Sequence, residues 1–207
     1  MTKDGLLKSI AEMGYNVGFG AKKHFATFDI VSKVPGWITF ASLAVGILGL
    51  AIEQLAAKIP SAFLTIVGVI GLYVTAYDAK KEEFEQVGIR LTLLFNELRD
   101  LYRSVQGGKD LDISAEILKD IEKRYYEVSI SKQIFLSDWY AHYKFFWQMQ
   151  IDWIDEQMQF STVRDKIPLS LYVTFGLVIA IASIAIIGPT RLSSLFNVPE
   201  WTRLMQP

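Results

Sequence analysis

Hydrophobic and charged positions are sharply segregated along this chain. Residues 34–52, VPGWITFASLAVGILGLAI, hold no charge over 19 positions, residues 59–77, IPSAFLTIVGVIGLYVTAY, hold none over another 19, and residues 167–190 hold none over 24. At 1.5 Å of rise per residue a helix of that shorter length reaches about 28 Å, close to the ~30 Å hydrocarbon thickness of a bilayer. Only EQLAAK separates the first two runs, so they predict a transmembrane helical hairpin over 34–77. The third run, about 36 Å long as a helix, predicts a third, C-terminal transmembrane helix over 167–190. The competing reading, burial in a soluble core, needs a polar shell that 207 residues are too few to supply. A cleaved signal peptide is not expected, because 33 residues including Asp4, Glu12 and Asp29 precede the first run and no small-residue cleavage site follows.

Between the runs the pattern changes to that of amphipathic helices. Phe84, Val87, Leu91, Leu94, Leu98, Leu101 and Val105 step by three and four without a miss, a heptad seam read as a candidate oligomerisation surface. A second seam runs Leu118, Ile121, Tyr125, Val128, Lys132, Phe135, Trp139, His142, Phe146, Met149 and Trp153. Between them stands QGGKDLD, where Gly107 and Gly108 stop one helix and Asp112 or Ser114 caps the next. The expectation is a cytoplasmic antiparallel helical bundle, or coiled-coil hairpin, over 78–166, fed by a continuous helix from Tyr77 into Lys81. Its arms differ in length, about 44 Å against about 81 Å, so a break is expected near SISKQ (129–133) or Leu136-Ser137-Asp138. The aromatic stretch after it is expected on the membrane surface or on the N-terminal helix.

Residues 1–33 place Leu6, Ile10, Met13, Val17 and Phe28 near one face, which predicts an N-terminal amphipathic cytoplasmic helix leading into the first span. Within it, Gly14-x-x-x-Gly18-x-Gly20 has the look of a phosphate loop. Such a loop needs a strand before it and a helix start after it, whereas LLKSIAEM reads as helix. Gly14 and Gly18 are therefore expected to admit a neighbouring helix.

Composition adds exclusions. Mean hydropathy is +0.27 and 51% of residues are hydrophobic, as a membrane protein requires. With 21 basic and 22 acidic residues, net −1, no overall field draws the chain to nucleic acid. There is no cysteine and only two histidines, and no HExxH, CxxC, GxSxG or Walker pattern occurs. An enzyme is not expected, and no catalytic, cofactor-binding or metal-ligating residue is assigned. His24 reads as a surface residue, His142 as a polar seam position, and Asp152, Asp155 and Glu156 as a solvated face.

Lys and Arg divide as five before the first run, one in the turn, thirteen between the second and third runs and two after. That bias puts the N-terminus and 78–166 in the cytoplasm, with the turn and a short tail, 191–207, outside. The near absence of ionisable groups in the runs argues against a proton relay. What the runs do offer is small and hydroxyl side chains: Ser42, Gly46 and Gly49, then Thr65, Gly68, Gly71 and Thr75, then Gly176 and Ala180. These are candidates for close span packing within the chain, or for the wall of a pore shared between subunits.

An N-terminal helix ending in AKKHF, a tight two-span hairpin, LRDLYRSV and ILKDIEKRYYEV together resemble the SLATT family, SMODS- and SLOG-associating bacterial membrane effectors with a two-span hairpin plus cytoplasmic helices. The resemblance covers about residues 10–160. It implies a homo-oligomeric pore-forming or membrane-disrupting effector of a nucleotide-signalled antiviral defence system, seated in the bacterial inner membrane and depolarising it when triggered. It also implies a cytosolic nucleotide-signalling or sensor partner, yet no family motif marks a nucleotide site here. The third run and the tail that follows depart from the two-span pattern. The alternatives are a non-conducting membrane scaffold whose cytoplasmic helices recruit proteins and, further off, a lipid-acting enzyme drawing on His142 and Asp152.

Overall fold

Thr2 opens the first helix by accepting the Gly5 N–H on its hydroxyl (3.3 Å), and the helix then runs unbroken as α1, Lys3–Gly49. The computed structural model describes residues 2–130 and 132–195, with side chains described up to residue 183. At 47 residues α1 extends about 70 Å, so the amphipathic segment and the first apolar run form one rod. Pro35, which removes one backbone donor, is passed without a break at the changeover. Before it, Leu6, Ile10, Val17, Ala21 and Val31 are buried; beyond it, Trp37, Phe40, Leu43 and Ile47 face outward.

A turn containing the 3-10 segment Glu53–Leu55 leads to α2, Lys58–Thr75. A second 3-10 turn, Asp78–Lys80, separates α2 from α3, Lys81–Gln106. The expected continuous helix from Tyr77 into Lys81 is thus interrupted by one tight turn. α3 runs back along α1: Lys3 donates to the Gln106 carbonyl (2.9 Å) at one end, and Gly88 lies against Phe25 at the other.

Gly107 and Gly108 stop α3 as the sequence predicts. Gly108 takes a φ of +93°, which glycine adopts without strain, and its N–H bonds Val105 O while Lys109 N–H bonds Ser104 O. The next helix, α4 (Leu111–Val128), is capped by Asp110, whose carboxylate accepts from Asp112 N (2.9 Å) and Ile113 N (3.0 Å). Neither Asp112 nor Ser114 performs that role; Ser114 donates back to the Asp110 carbonyl. After Val128 the chain crosses in an extended strap, with Leu136 in the left-handed region (φ 70°), before α5, Ser137–Gln148, and α6, Asp152–Met158. The break covers the first place expected for it, SISKQ, and ends at the second, Leu136.

One part of the expected bundle is rearranged. The seam on α3 packs chiefly on α1 rather than on the second seam, and α4, α5 and α6 each also dock on α1. The second seam persists through Leu118 and Ile121, but the strap shifts its register: Ile134 is buried and Phe135 is exposed. The aromatic stretch lies on α1, with Ala141, Phe145 and Phe146 turned inward and Tyr143 and Trp147 outward. Tyr102, fully enclosed, ties α3 to α6 by donating to Glu156 (3.0 Å) while accepting from Gln157 (2.9 Å). Among the described residues no strand occurs.

Residues 1–161 form one compact unit and the chain from 162 onward another. The second contains α7, Leu169–Leu195, whose apolar residues from Leu169 to Ile181 are largely exposed. α7 extends five residues into the expected tail; residues 196–207, including Trp201, lie outside the described residues.

Candidate functional site

The two long apolar segments are the first feature a function must use. Within the most apolar windows of α1 and of the helical stretch 58–106, only 6% of residues are buried. Core helices of a soluble fold would be covered on at least one face, so this removes the soluble-core alternative. Contiguous exposed apolar surface on this scale marks an interaction with lipid or protein.

The candidate small positions divide by environment. Gly71 approaches Ile38, with a Cβ there 3.4 Å away, and Gly49 abuts the turn at Leu55 and Ala56, so both pack inside the hairpin. Gly46, Gly68 and Gly176 have nothing within 4 Å. The hydroxyls of Thr65 and Thr75 return to their own helix, to Ser61 O and Gly71 O, each at 2.9 Å. Ser42 is half-buried, and Ala180 is exposed.

The candidate oligomerisation seam has an occupant already. Phe84, Val87, Leu91, Leu94, Leu98, Leu101 and Val105 are all buried in the core cluster or beside it, under α1 of the same chain. Glycines on α1 let its neighbours approach closely, Gly18 toward α3 and α5 and Gly14 toward α6. Trp153 sits on Gly14, and Phe95 and Phe145 sit on Gly18. The Gly14-x-x-x-Gly18-x-Gly20 stretch is a helix-packing surface, as its helical context predicts.

Where the bundle meets the apolar helices, the strap forms a latch that sequence reading missed. His24 is buried, not on the surface: Nδ1 donates to the Gly20 carbonyl (2.7 Å), and Nε2 accepts the Ile130 N–H (3.3 Å). One nitrogen donating and the other accepting defines a neutral imidazole. Burial lowers its pKa, the nearby Lys23 charge adds to the effect, and the Gly20 carbonyl, which accepts from the ring N–H, opposes it.

Next along the strap, Gln133 receives the Thr27 hydroxyl (2.6 Å), and Ile134 inserts between Val31 and Val74. The Phe135 N–H reaches the Tyr73 hydroxyl (3.3 Å). One clue was legible: His24, Thr27 and Val31 continue the three-and-four spacing of Val17 and Ala21.

Ion pairs brace the same level. Asp29 bonds Lys33 (2.6 Å) and Lys144, and Lys23 bonds Asp138 (2.8 Å), tying α1 to α5. Burial alone would raise the Asp29 carboxyl, but hydrogen bonds and charge from Lys144 and Lys33 outweigh it and hold it below the ordinary range. His142 is half-buried with its pKa lowered by burial, its ring edge-on to Phe19.

Chemistry beyond this is sparse. Among the described residues no cluster of His, Asp and Glu is arranged to hold a metal. Glu156 and Asp155 are engaged structurally, Asp155 accepting the Phe160 N–H (2.7 Å). A groove of about 380 Å³ between α1 and α4 presents Glu12 and Glu122 against Lys119, so it has no positive excess for a phosphate.

A helical bundle organised around one long helix, α1, carries two outward-facing apolar helices, the features of a membrane-associated module. Residues 1–175 match the family model described as SMODS and SLOG-associating 2TM effector domain 6, and the chain belongs to that SLATT family. It is a membrane effector domain with two candidate transmembrane helices. No curated protein and no solved structure matches the chain.

Proposed function

We propose that the chain inserts α1 beyond Pro35 and α2 as a hairpin in the bacterial inner membrane. There it acts, as a homo-oligomer, as the pore-forming effector of a nucleotide-signalled antiviral defence system. The observation that carries this is the 6% burial of two apolar windows fused to a well-packed bundle. Lipid is the one solvent in which that surface is stable. The Lys and Arg bias supports a cytoplasmic bundle, where a sensor protein would meet it, and the exposed apolar length of α7 supports a third crossing.

With the α3 seam filled by α1, self-association falls to the spans. Gly46 and Gly68, open to approach, are where a second copy would pack closely. The role is non-enzymatic and needs no cofactor.

The test is membrane potential in bacteria carrying the inducible gene, read with a voltage-sensitive dye before growth slows. Wild type should depolarise the cells, whereas Gly68→Leu should insert and fold normally yet conduct little, because its side chain blocks packing between copies. Undiminished depolarisation by Gly68→Leu would sink the shared-pore arrangement.

One observation favours a non-conducting scaffold. Thr65 and Thr75 spend their hydroxyls on their own helix and so offer little to a hydrated wall. Silence under every trigger, together with a stable complex with a cytosolic protein, would establish that reading.

A further inference from the structure

Two cavities flank Tyr73 at the level where the apolar helices leave the bundle. One, about 360 Å³, is lined almost wholly by apolar atoms, with Val34 from α1, Val69 and Val74 from α2, and Ile134 and Leu136 from the strap. The other, about 400 Å³, mixes apolar lining from Phe84 and Ile130 with the charged side chains of Lys80, Glu83 and Lys132, beside Tyr73 and Tyr77. Both volumes fall in the ~300–1,000 Å³ range of small-molecule sites. Their order along the helix axis is informative. On α2 the apolar cavity lies on residues 69–74, inside the uncharged run, whereas the second one takes its charged lining, Lys80 and Glu83, from beyond Tyr77, where that run ends. Apolar below and cationic above is the polarity of a phospholipid entering from the membrane.

Charge selects among phospholipids. Neighbouring Lys81 is committed to Asp78 (2.9 Å), but neither Lys80 nor Lys132 makes an ion pair among the described residues. Against them stands the single carboxylate of Glu83, so the cavity keeps a positive excess. Tyr73 accepts from Phe135 N–H and shares a side-chain hydrogen bond with Tyr77, so the two phenols stand together at the boundary between the cavities.

We propose that this neck is a binding site for one anionic phospholipid, with an acyl chain in the apolar cavity and its phosphate between Lys80 and Lys132. The lipid would then cement the strap to α2. The assignment rests on the membrane reading above.

The experiment is native mass spectrometry of the detergent-solubilised full chain, titrated with phosphatidylglycerol or with phosphatidylcholine of the same acyl chains. Lysines near a lipid surface each contribute roughly fivefold in affinity. Wild type should therefore retain phosphatidylglycerol by about tenfold or more over phosphatidylcholine, and the surface variant K80Q/K132Q should lose the preference with its thermal midpoint unchanged. Filling the apolar cavity from its exposed side with Val69→Trp should weaken retention of both lipids.

Equal retention of the two lipids by wild type, or a preference that survives K80Q/K132Q, overturns the proposal. An alkaline carbonate wash of expressing cells separates the two levels. Release of the chain from membranes would overturn the membrane reading, whereas a chain that stays in the membrane and binds both lipids alike overturns only the site.

Discussion

A matched pair of alanine substitutions on α1 isolates what close packing contributes at its glycines. At Gly14 a Cβ would lie 2.3 Å from Trp153 Cη2 and 3.0 Å from two further ring carbons, against the ~3.5–4.0 Å of a relaxed carbon contact. The indole has little room to retreat, since it packs on Phe95 (5.5 Å between ring centroids) and Tyr102 (5.3 Å). Overpacking of this kind costs about 1–3 kcal/mol, while replacing a mid-helix glycine by alanine returns up to about 1 kcal/mol. Gly14→Ala should thus come out destabilised by as much as about 2 kcal/mol.

Six residues on, a Cβ at Gly20 meets Leu91 and Tyr125 at an ordinary 3.5 Å. Gly20→Ala should therefore keep the whole propensity gain. At about 2–4 °C per kcal/mol for a chain of this size, the two variants should separate by roughly 5 °C, with Gly20→Ala above wild type. Thermal unfolding of the detergent-solubilised full chain, followed by near-UV circular dichroism, reads both the midpoint and the Trp153 environment. If Gly14→Ala proved as stable as Gly20→Ala, the close helix contact at Trp153 would be refuted.

Other expectations concern the charged brace, the latch and the seam. Asp29→Asn strands the Lys144 ammonium, only 13% exposed, and should cost roughly 2 kcal/mol, less than a fully buried pair would, read as a lowered thermal midpoint. Because the folded Asp29 pKa is depressed, the pair's stabilisation is present at neutral pH and is lost only as pH falls through the carboxylate range. Acid unfolding of wild type but not of Asp29→Asn should carry that component. His24 has the opposite charge type with the same downward shift: the unfolded form binds the proton more readily, so stability is complete above its ordinary pKa near 6.5 and falls as pH drops below it. Amide protection of Ile130 should decline over that interval in wild type, and His24→Gln should flatten the dependence; an unchanged slope would rule out the latch. Leu94→Asp buries a carboxylate in the α1–α3 core and should unfold the bundle rather than merely separate copies, seen as lost thermal cooperativity.

Helical content, the division into apolar and amphipathic stretches, the stop at Gly107-Gly108 and the break in the long return arm were all legible in the residues. Each depends on local chemistry: charge absent over a helix-length window, apolar spacing of three and four, glycine at a positive φ. The cap at Asp110 was missed by two residues because QGGKDLD offers several side chains able to cap, and only the backbone path through Gly108 chooses among them. The His24 latch was missed for a different reason. A histidine in a basic cluster reads as solvated, and its partner Ile130 is 106 residues away.

The sequence by itself determined that two exposed apolar helices would accompany a bundle, because hydropathy and helical period are properties of short windows. Tertiary structure alone decided which surface covers which. A heptad stripe such as Phe84 to Val105 fits any complementary stripe, whether another copy, the second seam or α1, since apolar contact is non-directional. The choice of α1 followed from close approach at Gly18 to Phe95 and at Gly88 to Phe25, from the covalent nearness that the hairpin imposes, and from the strap that packs Ile134 with Val31 and Val74. Those are long-range geometric facts, and they reassign the α3 seam from binding a partner to holding the chain together.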